Sequence, residues 1–198
     1  VAATASLALH VVVVALSCIL AQCVAAALQT GRAVGAGSGR ASRSVQRAAC
    51  AFAAAAFFGA HPMRVEVVCW ISCQPYVLAC CLCLACMLCH LCGGPRWLEL
   101  GAFGLAVFSK GAAISLPAVL VVMDLVAGQG AATAVASPTS SLALLRSAIL
   151  RSTPLLPLAG VAVAAAASAA GPVPADTRVL GWRESALRAC FAACFYIR

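Results

Sequence analysis

Hydrophobic and polar positions do not alternate along this chain. They separate into long apolar blocks and short polar gaps, and six blocks stand out. The first, Ser6–Leu28 ("SLALHVVVVALSCILAQCVAAAL"), is long enough for a hydrocarbon core that needs about 20 residues. It is not a signal peptide, because it lacks a basic lead and its apolar run is too long. The gap that follows, "QTGRAVGAGSGRASRSVQR", is rich in Gly, Ser and Arg, free of acid, and reads as a linker over 29–47. The second block, Ala48–Ala60, is short and spans only with help from its flanks. The third, Tyr76–Cys92, ends at the turn "GGPRW". The fourth, Leu98–Ser109, is short again and is followed by Lys110. The fifth, Ile114–Ala127, carries Asp124 near its far end. After a Gly/Ala/Ser/Thr loop comes the sixth, Thr153–Ala170, in which Pro154 and Pro157 predict a kink. Brief apolar runs fit helix and buried strand alike. Their Ala and Leu content and a hydrocarbon setting favour helices, since an open strand edge leaves amides unpaired in lipid.

Composition places these blocks in a membrane. The chain of 198 residues is 64% hydrophobic and 9% charged, whereas a soluble domain is about 45–50% apolar and about 25% charged. Its formal charge is +8. The arginines that produce it sit in the gaps between blocks, so the positive-inside rule explains them better than a nucleic-acid groove does. With the 29–47 linker in the cytoplasm and the blocks alternating, Arg32, Arg40, Arg43, Arg47, Arg96, Arg146 and Arg151 all face the cytoplasm. The gaps 61–75, 109–113 and 171–183 then lie on the far side, where basic and acidic residues mix. Trp70, Trp97 and Trp182 fall at the interfaces this topology predicts, where indole rings prefer to sit. In the tail, Leu187, Cys190, Phe191, Cys194 and Phe195 form one apolar stripe, which predicts an amphipathic interfacial helix or the start of a further span. The fold class is therefore all-α, a polytopic transmembrane bundle of about six spans plus that C-terminal helix. No Gly-rich phosphate loop, zinc signature or Ser–His–Asp pattern is present. The chain begins at Val1 and ends inside a helical pattern at Arg198, which points to part of a longer protein.

Candidate chemistry gathers in the far-side gaps. His61, Arg64, Glu66 and Lys110 stand at the predicted boundary. Taken singly, each reads as an ordinary interfacial residue, solvated or reaching to the headgroups. Taken together they suit a phosphate-bearing lipid head: Lys and Arg for the phosphate, Glu and His for a proton, a divalent metal or a sugar hydroxyl. Cys80, Cys83, Cys86, Cys89 and Cys92 recur every third residue. Steps of three drift by about 60° around a helix, so these thiols share no tetrahedral face and read as packing. His90 reads as a helix-end residue and Asp124 as structural or interfacial. Cys69 and Cys73 are spaced too awkwardly on a helix for an easy disulfide.

The stretch "FFGAHPMRVEVVCWISCQPYVLACCLCLACMLCHL", with "GLAVFSKGAAISLPAVLVVMDL" after it, resembles the membrane half of the protein O-mannosyltransferases that carry tetratricopeptide repeats. The positions that carry the resemblance are His61, Pro62, Glu66, Trp70, Gln74, Leu78, Ser109, Lys110, Leu116, Pro117 and Asp124. "LALHVVVVALSCIL" resembles the His-led span before that block. The resemblance implies a GT-C-type fold in the endoplasmic reticulum membrane, with the site facing the lumen. It implies transfer of mannose from dolichyl-phosphate-mannose to Ser or Thr hydroxyls of a protein acceptor. It further implies that 1–198 is a partial membrane domain, without the first luminal loop that carries the catalytic acid and without the C-terminal repeats, and is inactive alone. In that scheme Lys110 and Arg64 hold the donor phosphate. His61 and Glu66 are the catalytic-side candidates, orienting donor, acceptor or a divalent metal. A polytopic transporter or a non-catalytic membrane scaffold is the competing reading, with Asp124 the residue a transporter would use.

Overall fold

The computed structural model describes residues 2–30, 40–62, 67–132 and 138–169, and among them no strand occurs. Seven α-helices carry these residues: α1 (Ala2–Thr30), α2 (Arg40–Ala60), α3 (Gln74–Leu91), α4 (Arg96–Ser109), α5 (Leu116–Ala132), α6 (Pro138–Ser152) and α7 (Leu156–Ala169). Short 3-10 turns at Ile71–Cys73, Gly111–Ser115 and Thr153–Leu155 lead into α3, α5 and α7. Among the described residues, four stretches are long and apolar enough to cross a bilayer: Thr4–Leu28, Gln74–Leu91, Gly111–Gly128 and Leu142–Ala165. The chain is thus a helical membrane protein. It divides into compact units Val1–Val163 and Ala164–Arg198. Of the second, only the last turns of α7 are described.

Side-chain contacts fix the directions of the first five helices. Gln74 at the start of α3 donates its amide N–H to Ser6 Oγ near the start of α1 (3.0 Å). Lys110, just past α4, lies 4.0 Å from the Tyr76 ring centroid on α3. His10 Nε2 is 3.2 Å from the carbonyl of Gly59, which brings the end of α2 to the same side. At the opposite end, His90 of α3 meets Glu99 of α4 and Asp124 of α5. So α1, α3 and α5 run from the Ser6 end to the His90 end, and α2 and α4 run back. The helix α4 has 14 residues, about 21 Å at 1.5 Å per residue, against a core of about 30 Å. The start of α2 carries Arg40, Arg43 and Arg47. These are the reasons neither ranks with the four apolar stretches.

The core is built from small residues and a few large ones. Phe103, Leu120, Leu155 and Cys86 are fully buried, flanked by Ala102, Ala106, Val107, Ala113, Leu116, Ala159 and Ala162. Small side chains let helices approach closely where hydrocarbon solvates Leu as well as a neighbour would. A Cβ on Gly104 would meet Leu158 at 3.1 Å, and one on Gly59 would meet Val14 at 2.8 Å. Val11, Phe52, Phe57, Leu105, Phe108, Val122 and Val161 are exposed, which is the pattern of a lipid-facing surface.

Two boundaries differ from the sequence reading, and one interruption agrees with it. α2 begins at Arg40 inside the expected linker, because Arg, Ala and Gln are good helix formers. α6 occupies a stretch read as loop: Pro138 suits the first helical position, and "SLALLRSAILRS" then continues as helix. The 3-10 turn Thr153–Leu155 interrupts the helix where Pro154 and Pro157 predict a kink. The gap 171–183 and the amphipathic tail lie outside the described residues.

Candidate functional site

Two polar regions stand at opposite ends of the bundle. The first is the Ser6 end, where the sequence placed its candidates. An open groove of about 550 Å³ is lined by Leu9, Ser72, Gln74, Pro75, Leu78, Phe108 and Ser109. Its wall is half apolar (Leu9, Leu78, Phe108) and half hydroxyl or amide (Ser72, Gln74, Ser109). Gln74 and Leu78 are motif positions about one helical turn apart on α3, Ser109 lies 31 residues beyond Leu78, and the packing of α3 on α4 brings all three to one surface. Lys110 follows Ser109 at once, half-buried, with its ammonium over the Tyr76 ring. That contact is a cation–π pair, and it holds the lysine at the Ser6 end of α3 and α4.

Of the other candidates, His61 is exposed just past the end of α2, edge-on to Phe57 with ring centroids 5.8 Å apart. It is placed by α2, whereas Lys110 is placed by α3 and α4. Arg64 and Glu66 lie outside the described residues. Among the described residues no group of three or more His, Cys, Asp or Glu is arranged to hold a metal ion. The cysteines there are all free thiols. Cys86 Sγ donates to the Glu99 carbonyl (3.5 Å), and Cys89 Sγ to the Pro95 carbonyl (3.7 Å). Their packing partner is the first turn of α4.

The second region is the one sequence reasoning passed over. His90, in the last turn of α3, is buried with Nδ1 2.7 Å from Glu99 Oε1 and Nε2 3.1 Å from Asp124 Oδ2. Arg96 pairs with the other oxygen of Glu99 (2.6 Å), and Arg151 with the other oxygen of Asp124 (3.1 Å). Arg151 also donates to the His90 carbonyl (3.2 Å), and Arg96 donates to the Arg151 carbonyl. The five residues close a ring across α3, α4, α5 and α6. Two guanidiniums balance two carboxylates, as burial of the acids demands. The Arg96–Glu99 step of three residues was readable from sequence as a helical pair. The rest was not, because His90, Asp124 and Arg151 meet only through tertiary packing.

No known family matches the chain, and neither a curated protein nor a solved structure is similar to it.

Proposed function

We infer that the chain belongs to the membrane domain of a glycosyltransferase that takes its sugar from a polyprenyl phosphate, in the manner of the protein O-mannosyltransferases it resembles. The observation that supports this reading most is the groove at the Ser6 end. Gln74, Leu78 and Ser109 line it together, and Lys110 stands next to them. A lipid-linked sugar phosphate asks for this combination: an apolar wall for the isoprenoid, amide and hydroxyl groups for the sugar, and a fixed cation for the phosphate. A lysine against a low-dielectric wall holds phosphate more strongly than one in water.

In this reading Lys110 binds the donor phosphate, with Arg64 as its partner, and stabilises it as it leaves. His61 and Glu66 orient the acceptor hydroxyl or a metal. Mannose is the sugar, dolichyl phosphate the carrier, and the endoplasmic reticulum membrane the site. All six traverses of the GT-C-type bundle cross the bilayer, α2 and α4 included.

The test is transfer of labelled mannose from dolichyl phosphate to Ser or Thr acceptors by membranes holding the natural-length protein. Lys110→Ala is expected to weaken donor binding. Glu66→Gln is expected to lower kcat with donor binding kept, the mark of a role confined to the transition state. Wild-type transfer in both variants rejects the site assignment, and absence of transfer by the wild type rejects the activity. The transporter alternative draws less support, because both oxygens of Asp124 are already engaged by Arg151 and His90.

A further inference from the structure

We propose that the ring at the His90 end is a preorganised site for the phosphate of an anionic phospholipid, with Arg96 and Arg151 as the paired claws. The proposal does not rest on the glycosyltransferase reading, whose groove lies at the other end of the bundle.

The ring has a buried half and an open half. Glu99 and Asp124 side chains are 3% and 12% exposed, and His90 between them is buried. The side chains of Arg96 and Arg151 are 43% and 49% exposed. Each carboxylate grips its arginine from beneath, and His90 fixes the distance between the two carboxylates. The donation from Arg96 to the Arg151 carbonyl closes the outer edge. The two forks are therefore held side by side before any ligand arrives. A guanidinium has five N–H donors, so each retains donors on its open side after the bonds inside the ring are made.

The surroundings select the ligand's source. His90 ends the apolar stretch Gln74–Leu91, so the arginines stand where that stretch leaves the hydrocarbon. Trp97, Leu98 and Leu150 are exposed beside them, Trp97 by 72%. Indole at that depth belongs at the headgroup layer. Arginine forks match a phosphodiester bidentately, and basic pockets between helices at this boundary take lipid headgroups. A headgroup phosphate reaches the pair from the leaflet while its acyl chains lie along the exposed leucines.

The experiment uses the whole chain in phosphatidylcholine nanodiscs, with Trp70→Phe and Trp182→Phe leaving Trp97 as the reporter. Brominated phosphatidylglycerol and brominated phosphatidylcholine are compared as quenchers. Enrichment of the anionic lipid at Trp97 by about fivefold is expected, the upper end of what a half-exposed arginine fork gives when it holds an anion in good bidentate geometry. The double variant Arg96→Lys/Arg151→Lys keeps the charges and the ion pairs but loses the forks, and its enrichment should fall to that of bulk lipid. Arg146→Gln, outside the ring, should keep the full preference, and free inorganic phosphate should not compete it away. Equal quenching by the two lipids overturns the proposal. So does a preference that survives in the double lysine variant or vanishes in Arg146→Gln. Competition by inorganic phosphate replaces the lipid with a soluble anion and also rejects it.

Discussion

Glu99 is engaged from two directions, by His90 at one oxygen and by Arg96, which donates to the other, while its own side chain is almost fully out of solvent. Glu99→Ala would strip one partner each from the buried imidazole of His90 and the guanidinium of Arg96, leaving His90 Nδ1 unpaired. Breaking a buried pair in this way costs about 3–5 kcal/mol. A clear fall in the thermal midpoint is therefore expected in detergent or nanodiscs, and an unchanged midpoint would mean that the ring contributes nothing to stability. The cysteines call for the opposite expectation. Replacing Cys80, Cys83, Cys86 and Cys89 together by Ala should leave the fold intact. The loss should be on the order of 1 kcal/mol and trace mainly to Cys86, the fully buried one. Stoichiometric zinc that disappears with these substitutions would contradict this. Gly93 and Gly94 show how local the turn chemistry is. Gly93 has φ 67°, the left-handed region that a side chain rarely adopts. A Cβ on Gly94 would lie 2.5 Å from Cys89 Sγ. That explains the "GG" before Pro95 without invoking function.

At the scale of elements, helix contacts depend on where bulk is withheld. α1 and α2 meet at Gly59, where an added Cβ would press on Val14 at 2.8 Å, and His10 bonds the same residue's carbonyl. Gly59→Val should therefore destabilise by about 1–3 kcal/mol, the usual cost of overpacking. Val14→Ala in the same chain should restore most of the loss. A thermal scan of both single variants and the double separates packing from any effect on the α2 end itself, because only packing predicts the rescue. The break at Thr153–Leu155 belongs to this scale too. It turns the long apolar stretch Leu142–Ala165 into two helices. This lets Arg151 stay on Asp124 while Ala159 and Ala162 join the core.

The whole molecule poses the question of sidedness. The alternation seen in α1 to α5 is the one that places the arginine-rich gaps on one side. Glycosylation acceptor tags in a microsomal system should be modified in the 61–75 and 109–113 gaps and left bare at Gly37. Modification at Gly37 would reverse the orientation. Tags on both sides of α2 and of α4 also decide whether these shorter helices cross, since a helix that only dips leaves both flanks alike.

Block pattern and charge were enough to define a helical membrane protein, the positions of three of the four apolar stretches described, and the interruption at Pro154 and Pro157. These follow from local quantities: hydropathy over about 20 residues, the missing N–H of proline, and the arginine bias of the gaps. The sequence also marked Gln74, Ser109 and Lys110 as a set, through resemblance. What it did not contain was which groups meet. Tyr76 beneath Lys110, Ser6 on Gln74, and above all the ring of Arg96, Glu99, His90, Asp124 and Arg151 join residues up to 68 positions apart (Ser6 to Gln74). Such contacts depend on the facing and depth of packed helices, and periodicity along one segment carries no record of either. Burial decided the rest. An acid inside an apolar block and a histidine at a helix end look incidental in one dimension. Low dielectric tolerates such polar groups only beside partners, and the tertiary fold supplied the partners.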